Sequence, residues 1–291
     1  MTAPETDSKK ADSADGARPP GRAPDGATLR ADVCIVGGGM VGATLAAALG
    51  GAGITVALVD RSEPSAMLAA DYDGRSSAIA HGSQRALAGI GLWDGMADAA
   101  EPILDIRVSD GPSRLFLHYD HRALEEDEPF GHIVENRATR WAIYRHLSGL
   151  DTVSLVLPAA VADFEIGPGR TTVSLADGRS ISAALMVAAD GGRSRLRRAA
   201  GIGVTKWDYP QAGIVCTMAH EAPHRGVAHE RFLPAGPFAV LPMVDEPAGA
   251  PFPGGHRSSI VWTERRSAAP DFMALDDDAF SAELGARFGP Y

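Results

Sequence analysis

The chain has 291 residues, 45% of them hydrophobic and 22% charged, a balance typical of soluble globular proteins and long enough for one large domain or two small ones. Its net charge of -10 and pI near 5.3 argue against a nucleic-acid partner, because phosphate backbones select for clustered Lys and Arg. The two cysteines, Cys34 and Cys216, lie far apart and outside any Cys-x-x-Cys pair, which argues against a disulfide framework or a cysteine zinc site and suits a reducing cytoplasm.

Residues 1–30 contain no aromatic residue, mix acids with Lys9, Lys10, Arg18, Arg22 and Arg30, and scatter four prolines, so they read as a disordered tail. They lack the continuous apolar core of a signal peptide, and no later run is long and apolar enough to span a bilayer. From Ala31 the pattern changes to an apolar strand at 32–36, an Ala-rich helix from Val41 to Leu49, a Gly50–Gly53 stop and a β-branched strand from Ile54 to Asp60. Strand, helix and strand in that order predict a parallel βαβ unit. Cys34, inside the first strand, reads as a small core residue rather than a reactive thiol.

A helix is expected over 76–90, then strands near 103–109 and 114–119, then a solvated loop at the acidic run Glu125–Glu128. A further helix, Thr139 to Ser148, follows Glu135-Asn136-Arg137. Short strands are expected at 153–165 and 171–176, a turn at Ala176–Arg179 and a strand at 183–189. After Gly203 come strands at 211–219, 227–233, 238–243 and 258–264 and a helix from Asp276 to Arg287. The chain shows no internal repeat. This order predicts an α/β fold: a Rossmann-like nucleotide-binding domain from residues 31–102 and 131–203, interleaved with a mostly antiparallel β-sheet substrate domain from 103–130 and 204–291.

Gly37-Gly38-Gly39-Met40-Val41-Gly42 fits G-x-G-x-x-G between a strand and a helix. In that context Gly37 permits the tight turn, Gly39 lets a pyrophosphate approach the backbone, Gly42 lets the helix pack on the strand, and the helix N-terminus faces the anion. Asp60 falls near the roughly 20-residue spacing at which a carboxylate accepts from ribose hydroxyls. An acid there disfavours a 2′-phosphate, which leaves FAD or NAD as the resident dinucleotide.

A second corner lies much further along, at Ala188-Ala189-Asp190-Gly191-Gly192-Arg193-Ser194-Arg195-Leu196-Arg197-Arg198. Asp190, Gly191, Ser194 and Arg197 resemble the D-G-x-x-S-x-x-R motif of class A flavin-dependent aromatic hydroxylases, matched at all four positions. Two further stretches are similar to the ubiquinone-biosynthesis (UbiH/UbiF/VisC-like) branch of that family. Asp73-Gly74-Arg75-Ser76-Ser77-Ala78-Ile79-Ala80 with Ser83 looks like its D-x-R-x-x-A-L-x-x-x-S segment, with Ile79 in place of leucine, and Gly131 to Arg137 resembles its second helix start. The resemblance covers roughly residues 31–290 and implies a GR2-type flavoprotein. It implies that the Asp190 motif serves both FAD and a visiting NAD(P)H, and that Arg75 and Arg137 lie near the flavin and its phosphates, where a guanidinium can pair bidentately with oxygen.

The activity implied is hydroxylation of a phenolic ring, on a prenylated ubiquinone precursor, by NAD(P)H and O2 through a C4a-hydroperoxyflavin. A small aromatic, prenylated substrate further implies peripheral contact with the inner face of a membrane from the cytoplasmic side, and biosynthetic partners. The sequence names no catalytic acid or base. Two rival readings stand beside it: an NAD-dependent dehydrogenase, which explains Gly37 to Asp60 but gives Asp190 to Arg197 no role, and a truncated non-catalytic subunit of a biosynthetic complex. The family's third signature, Gly-Asp-Ala-Ala-His, does not occur before the chain stops at Gly289-Pro290-Tyr291, so the sequence is expected to be a fragment or truncated product.

His220-Glu221-Ala222-Pro223-His224 spells H-E-x-x-H, but Pro223 breaks the helix that zinc ligation by this motif requires, so no metal site is expected and His220, His224 and His229 read as loop residues. Trp207-Asp208-Tyr209-Pro210 lacks the second tryptophan of the halogenase W-x-W-x-I-P signature.

Overall fold

The computed structural model describes residues 28–63, 74–111, 113, 115–124, 127–245 and 255–288. The expected tail up to residue 27, Asp73, Glu125, Glu126 and the terminal Gly289-Pro290-Tyr291 lie outside the described residues.

The first sheet grows from β1 (Thr28–Val36), β2 (Val56–Val59), β8 (Val153–Val156), β9 (Val161–Gly167), β10 (Arg170–Leu175) and β11 (Ser180–Ala188), in the order β8-β2-β1-β11-β10-β9. Its first four strands run parallel and β11-β10-β9 form an antiparallel meander. Strand β1 is apolar throughout its second half because both its faces are covered. Val33 and Ile35 enter one core with α1 (Met40–Gly51), whereas Cys34 and Val36 enter another with the meander. Ala43, Ala46 and Ala47 of α1 are fully buried, so small side chains let this helix lie close to its neighbours. Burial pushes the Cys34 thiol up to about 12, as befits a core residue.

A three-stranded antiparallel sheet, β3 (Ser76–Ala80), β7 (Gly131–Glu135) and β4 (Ala100–Ile103) in the order β3-β7-β4, sits between the first sheet and a third. The third has six strands ordered β12-β15-β14-β13-β5-β6: β5 (Asp105–Asp110), β6 (Phe116–Asp120), β12 (Gln211–His220), β13 (Val227–Leu233), β14 (Gly236–Met243) and β15 (His256–Arg265). Only β13 and β5 pair in parallel. The fold class is therefore the expected one, with a Rossmann-like α/β sheet and a mostly antiparallel six-stranded sheet.

Several boundaries differ from expectation. The helix expected over 76–90 begins only at α2 (His81–Gly89), because Ser76–Ala80 is extended and pairs with Gly131–Glu135, from Ser76↔Glu135 to Ala80↔Gly131, across a separation that no local signal spans. β1 starts at Thr28, inside the expected tail, because its register with β11 runs from Thr28↔Ser180 to Val36↔Ala188. His220 ends β12 and His229 lies within β13, so both are strand residues rather than loop residues, while His224 does lie in the turn between them. Among the described residues the remaining α-helices are α3 (Asn136–Leu147), α4 (Arg195–Ala199), α5 (Ala269–Met273) and α6 (Asp277–Phe288). The last packs Leu284 beside Phe238, Ile260 and Trp262 of the second six-stranded sheet.

Candidate functional site

The two turns singled out in the sequence lie side by side. β1 and β11 are parallel neighbours, so the turn after Val36 and the turn after Ala188 leave the sheet at the same, carboxyl, end. With strand order β8-β2-β1-β11, the boundary between β1 and β11 is where the winding reverses, the place where α/β sheets bind ligands. Contact between the turns is intimate. Gly37 has φ +115°, and a Cβ there would collide with the Ala189 carbonyl oxygen and lie 2.9 Å from the Asp190 nitrogen. At Gly42 a Cβ would collide with the Gly37 carbonyl, which lets α1 start directly beneath the turn.

Gly39, by contrast, caps α1 with no atom within 4 Å of where its Cβ would stand. The helix N-terminus therefore opens onto space, and its N–H groups carry the partial positive charge that suits a phosphate. Asp60, at the end of β2, accepts from the Gly38 N–H at 2.7 Å and from the Ser62 N–H at 2.8 Å. Tyr144 of α3 donates its hydroxyl to the Gly38 carbonyl at 2.7 Å, and burial, with the Asp60 charge adding, pushes that hydroxyl's pKa up. Gly38 is thus clamped at both backbone groups. Sequence reasoning missed Gly38 and Tyr144; the signal was available only for the glycine, as the middle member of a Gly-Gly-Gly run.

The second corner is built from hydrogen bonds. Asp190 accepts from Ser194 Oγ at 2.5 Å and from the Arg195 and Leu196 N–H groups at 2.8 and 3.3 Å. Ser194 in turn caps α4 by accepting from the Arg197 N–H at 2.9 Å. Burial opposes the Asp190 charge, but the Ser194 and backbone hydrogen bonds outweigh it and hold the carboxyl below its ordinary range. Gly191 sits at φ +86°, and Arg197 reaches the Gly192 carbonyl at 3.1 Å.

Arg75 and Arg137 come together at one end of the β3–β7 pair: Ser76 stands opposite Glu135, and the Asn136 N–H donates to the Arg75 carbonyl at 3.0 Å. Both side chains are exposed. Arg137 lies in the first turn of α3, the helix whose Tyr144 touches the glycine turn about 10 Å further on at 1.5 Å per residue. Its Nε donates to Glu135 Oε2 at 2.7 Å, and Glu135 Oε1 accepts from Arg257 of β15 at 3.0 Å, with both Glu135 and Arg257 buried. Ser76 Oγ, next along, donates to Ser259 Oγ at 2.8 Å. This polar seam ties the end of the β3–β7 pair to the second six-stranded sheet. Sequence reasoning missed Glu135 as a bridge, because its partner lies 122 residues away.

The H-E-x-x-H segment is not helical: His220 closes a strand and His224 sits beyond Pro223 in a turn. Among the described residues Asp105, Asp120 and His121 place possible ligand atoms within 4.8 Å of one another, but Arg122 already grips Asp120 at 2.7 and 3.0 Å and holds its carboxyl down to about 2.

A Rossmann-like sheet whose switch point holds a glycine turn, an open helix N-terminus and a second acidic corner defines a dinucleotide-binding protein of the flavoprotein type. The chain belongs to the FAD binding domain family, whose model matches residues 30–246. It is 49% identical over 261 residues to the ubiquinone hydroxylase UbiL of Rhodospirillum rubrum, covering 90% of this chain and 58% of that protein. It is 32% identical to the ubiquinone hydroxylase UbiM of Neisseria meningitidis, covering 74% of this chain and 48% of that protein. The chain therefore spans about half the length of the curated relatives it matches. Among solved structures, that of pqsL, a probable FAD-dependent monooxygenase from Pseudomonas aeruginosa, superimposes with a TM-score of 0.69 at 19% identity, over 87% of this chain and 69% of that one, which shows the shared fold.

Proposed function

We propose that this chain forms the nucleotide-binding and sheet parts of an FAD-dependent monooxygenase that hydroxylates a phenolic ring on a polyprenylated ubiquinone precursor, using NAD(P)H and O2. The observation that carries this reading is the contact of the Gly37 turn with Ala189 and Asp190, which joins a dinucleotide turn to a second acidic corner that a simple NAD dehydrogenase does not need. We read residues 31–102 with 131–203 as the cofactor-binding unit and 103–130 with 204–291 as the substrate unit.

The open helix N-terminus at Gly39 and the paired acidic and basic groups around it suit the polar half of FAD. Gly37, Gly39 and Gly42 would admit the pyrophosphate to the N–H groups of α1. Asp60, already oriented by Gly38 and Ser62, would accept from ribose hydroxyls. Asp190, Gly191, Ser194 and Arg197 would close the other side, with Arg75 and Arg137 pairing phosphate oxygens. When bound, FAD supplies the redox chemistry, taking reducing equivalents from NAD(P)H and activating O2. The chain's part is to bind, orient and exclude water. A polyprenyl tail requires access to a lipid surface, and we place the working protein at the inner face of a membrane with biosynthetic partners. No helix among the described residues is long and apolar enough to cross a bilayer, so the contact is peripheral in this reading.

A visible absorption spectrum of the purified chain with and without added FAD tests the reading. Flavin bands that stay with the protein through gel filtration, and FAD released on denaturation, are the expected result. A colourless chain that ignores FAD but binds NAD would sink it in favour of the dehydrogenase.

A further inference from the structure

The second six-stranded sheet ends on β6, and among the described residues no strand pairs with its outer side. Its apolar side chains stand in water: Leu115 is 83% exposed, Phe116 45%, Leu117 64% and Tyr119 51%. Free sheet edges usually carry a charge, a proline or a bulge that keeps other strands away. β9, at an edge of the first sheet, carries Asp163 and Glu165. From Leu115 to Tyr119 there is no carboxylate, lysine or proline, and the register with β5 runs unshifted from Asp105↔Asp120 to Ser109↔Phe116. An apolar edge left unguarded in this way invites another strand.

The ladder decides which backbone groups face outward. The His121 N–H donates to the Leu104 carbonyl at 3.0 Å, one step beyond the Asp105↔Asp120 pair. Hydrogen-bonding direction alternates along an antiparallel strand, so Leu117 and Tyr119 bond to β5 while Phe116 and His118 turn their N–H and C=O groups outward. Side chains alternate too: Leu115, Leu117 and Tyr119 share one face of the sheet, and Phe116 and His118 the other. The edge is held in place from within its own chain. The Arg107 guanidinium lies 5.3 Å from the centre of the Phe116 ring, the His118 ring lies 6.2 Å from Phe116, and His118 Nε2 is 3.1 Å from Asp105 Oδ1.

We propose that β6 pairs antiparallel with β6 of a second copy of this chain, about a two-fold axis at Leu117. An isologous contact requires the strand to be complementary to itself, and this register meets the requirement. Leu117 meets its own counterpart, Leu115 meets Tyr119, and Phe116 meets His118. Phe116 and His118, whose backbone groups point outward, then form the hydrogen-bonded pairs, and Leu117 the close pair between them. Counted one residue further along the sequence, Arg114 falls opposite Asp120 at both ends, joining opposite charges. Moving the axis to His118 sets Phe116 against Asp120, and moving it to Phe116 sets Arg114 against His118, so only the Leu117 axis keeps both the apolar and the charged matches. An anionic lipid surface suits this strand poorly, because Glu125-Glu126-Asp127-Glu128 follows it closely and the chain carries a net charge of -10. The contact is short, so dissociation in the micromolar range is expected. None of this depends on which nucleotide the glycine turn takes.

Sedimentation equilibrium on the whole chain, from low micromolar to submillimolar concentration, tests the pairing. The mass is expected to rise with concentration from 30.3 kDa toward twice that value, and a chain that stays at 30.3 kDa overturns the proposal. Leu117→Lys sets two ammonium groups face to face on the axis and is expected to weaken self-association at least about tenfold, as is Leu117→Glu with two carboxylates. Mixed together, these two variants are expected to form a heterodimer, because residue 117 faces itself only in this register; no gain of mass on mixing overturns it. Phe116→Pro removes an outward N–H and leaves the β5 ladder whole, so this variant is expected to fold as a monomer. A dimer as tight as that of the unsubstituted chain in Phe116→Pro and Leu117→Lys also overturns the proposal. A monomeric chain that sediments with phosphatidylglycerol–phosphatidylethanolamine vesicles, and loses them in Leu117→Lys, would assign the edge to a lipid surface instead.

Discussion

The turn after β1 and the turn after β11 share one end of one sheet, yet they spend their polar groups differently. In the first, the decisive feature is missing matter: Gly37 and Gly42 have no room for a Cβ, and Gly39 has room that nothing occupies. In the second, Asp190 and Ser194 are fully engaged by one another and by the Arg195, Leu196 and Arg197 N–H groups. One turn is held open toward solvent and the other is braced from within. A motif residue can therefore serve a ligand by making space or by holding a neighbouring backbone still, and the two roles predict different mutant behaviour.

The sharpest way to break this comparison is at the contact between the turns. Gly37→Val combines a disfavoured positive φ with a collision against the Ala189 carbonyl, and is expected to cost about 3 kcal/mol or more in urea unfolding and to abolish FAD binding. Gly39→Ala should do the reverse, changing stability by less than about 1 kcal/mol while weakening FAD binding about tenfold. Equal effects at both glycines would show that the open space at Gly39 is incidental.

At the braced corner the ranking turns to stability. Asp190→Ala strands the Ser194 hydroxyl and two N–H groups and is expected to cost about 1–3 kcal/mol, against about 1 kcal/mol for loss of the Ser194 cap in Ser194→Ala. Chemical denaturation of both variants measures this. If Asp190→Ala left stability unchanged, the brace would be decorative.

The smallest effect is on acid stability. The Asp190 carboxyl is held below its ordinary range in the folded chain, so its contribution is present above the unfolded value near 3.9 and is lost as pH falls through the lower folded value. Denaturation midpoints below roughly pH 4 should fall more steeply for the unsubstituted chain than for Asp190→Asn. Parallel slopes would remove the charge from the account of this corner.

What the sequence revealed of this arrangement was its local part. The βαβ unit, the glycine turn and Asp60 follow from period, composition and short spacing, all of which act within a few residues of each other. Asp190 and Ser194 were legible through a four-position motif, though the motif does not say that their side chains bind one another. Ser76–Ala80 was misread as helix because small residues without alternation take their conformation from the strand they meet, Gly131–Glu135. His220 and His229 were misread as loop because Pro223, Gly226 and Pro234 punctuate strands that are nevertheless continuous ladders of backbone pairs. Glu135–Arg257 and His220–Ser258 join residues 122 and 38 positions apart, and no spacing rule connects them.

The register of β1 with β11 also bears on how the chain is made. Thr28 pairs with Ser180, hydroxyl to hydroxyl at 2.9 Å across 152 positions, and the strand between Ser180 and Ala188 is what brings Asp190 to the glycine turn. During synthesis β1, α1 and β2 emerge early but wait with one flank of β1 unpaired until β11 follows. Loop-closure entropy of that size slows assembly and leaves an apolar strand edge available to wrong partners. Cofactor added during translation should therefore find no site on ribosome-bound chains shorter than about 190 residues, however complete their βαβ unit.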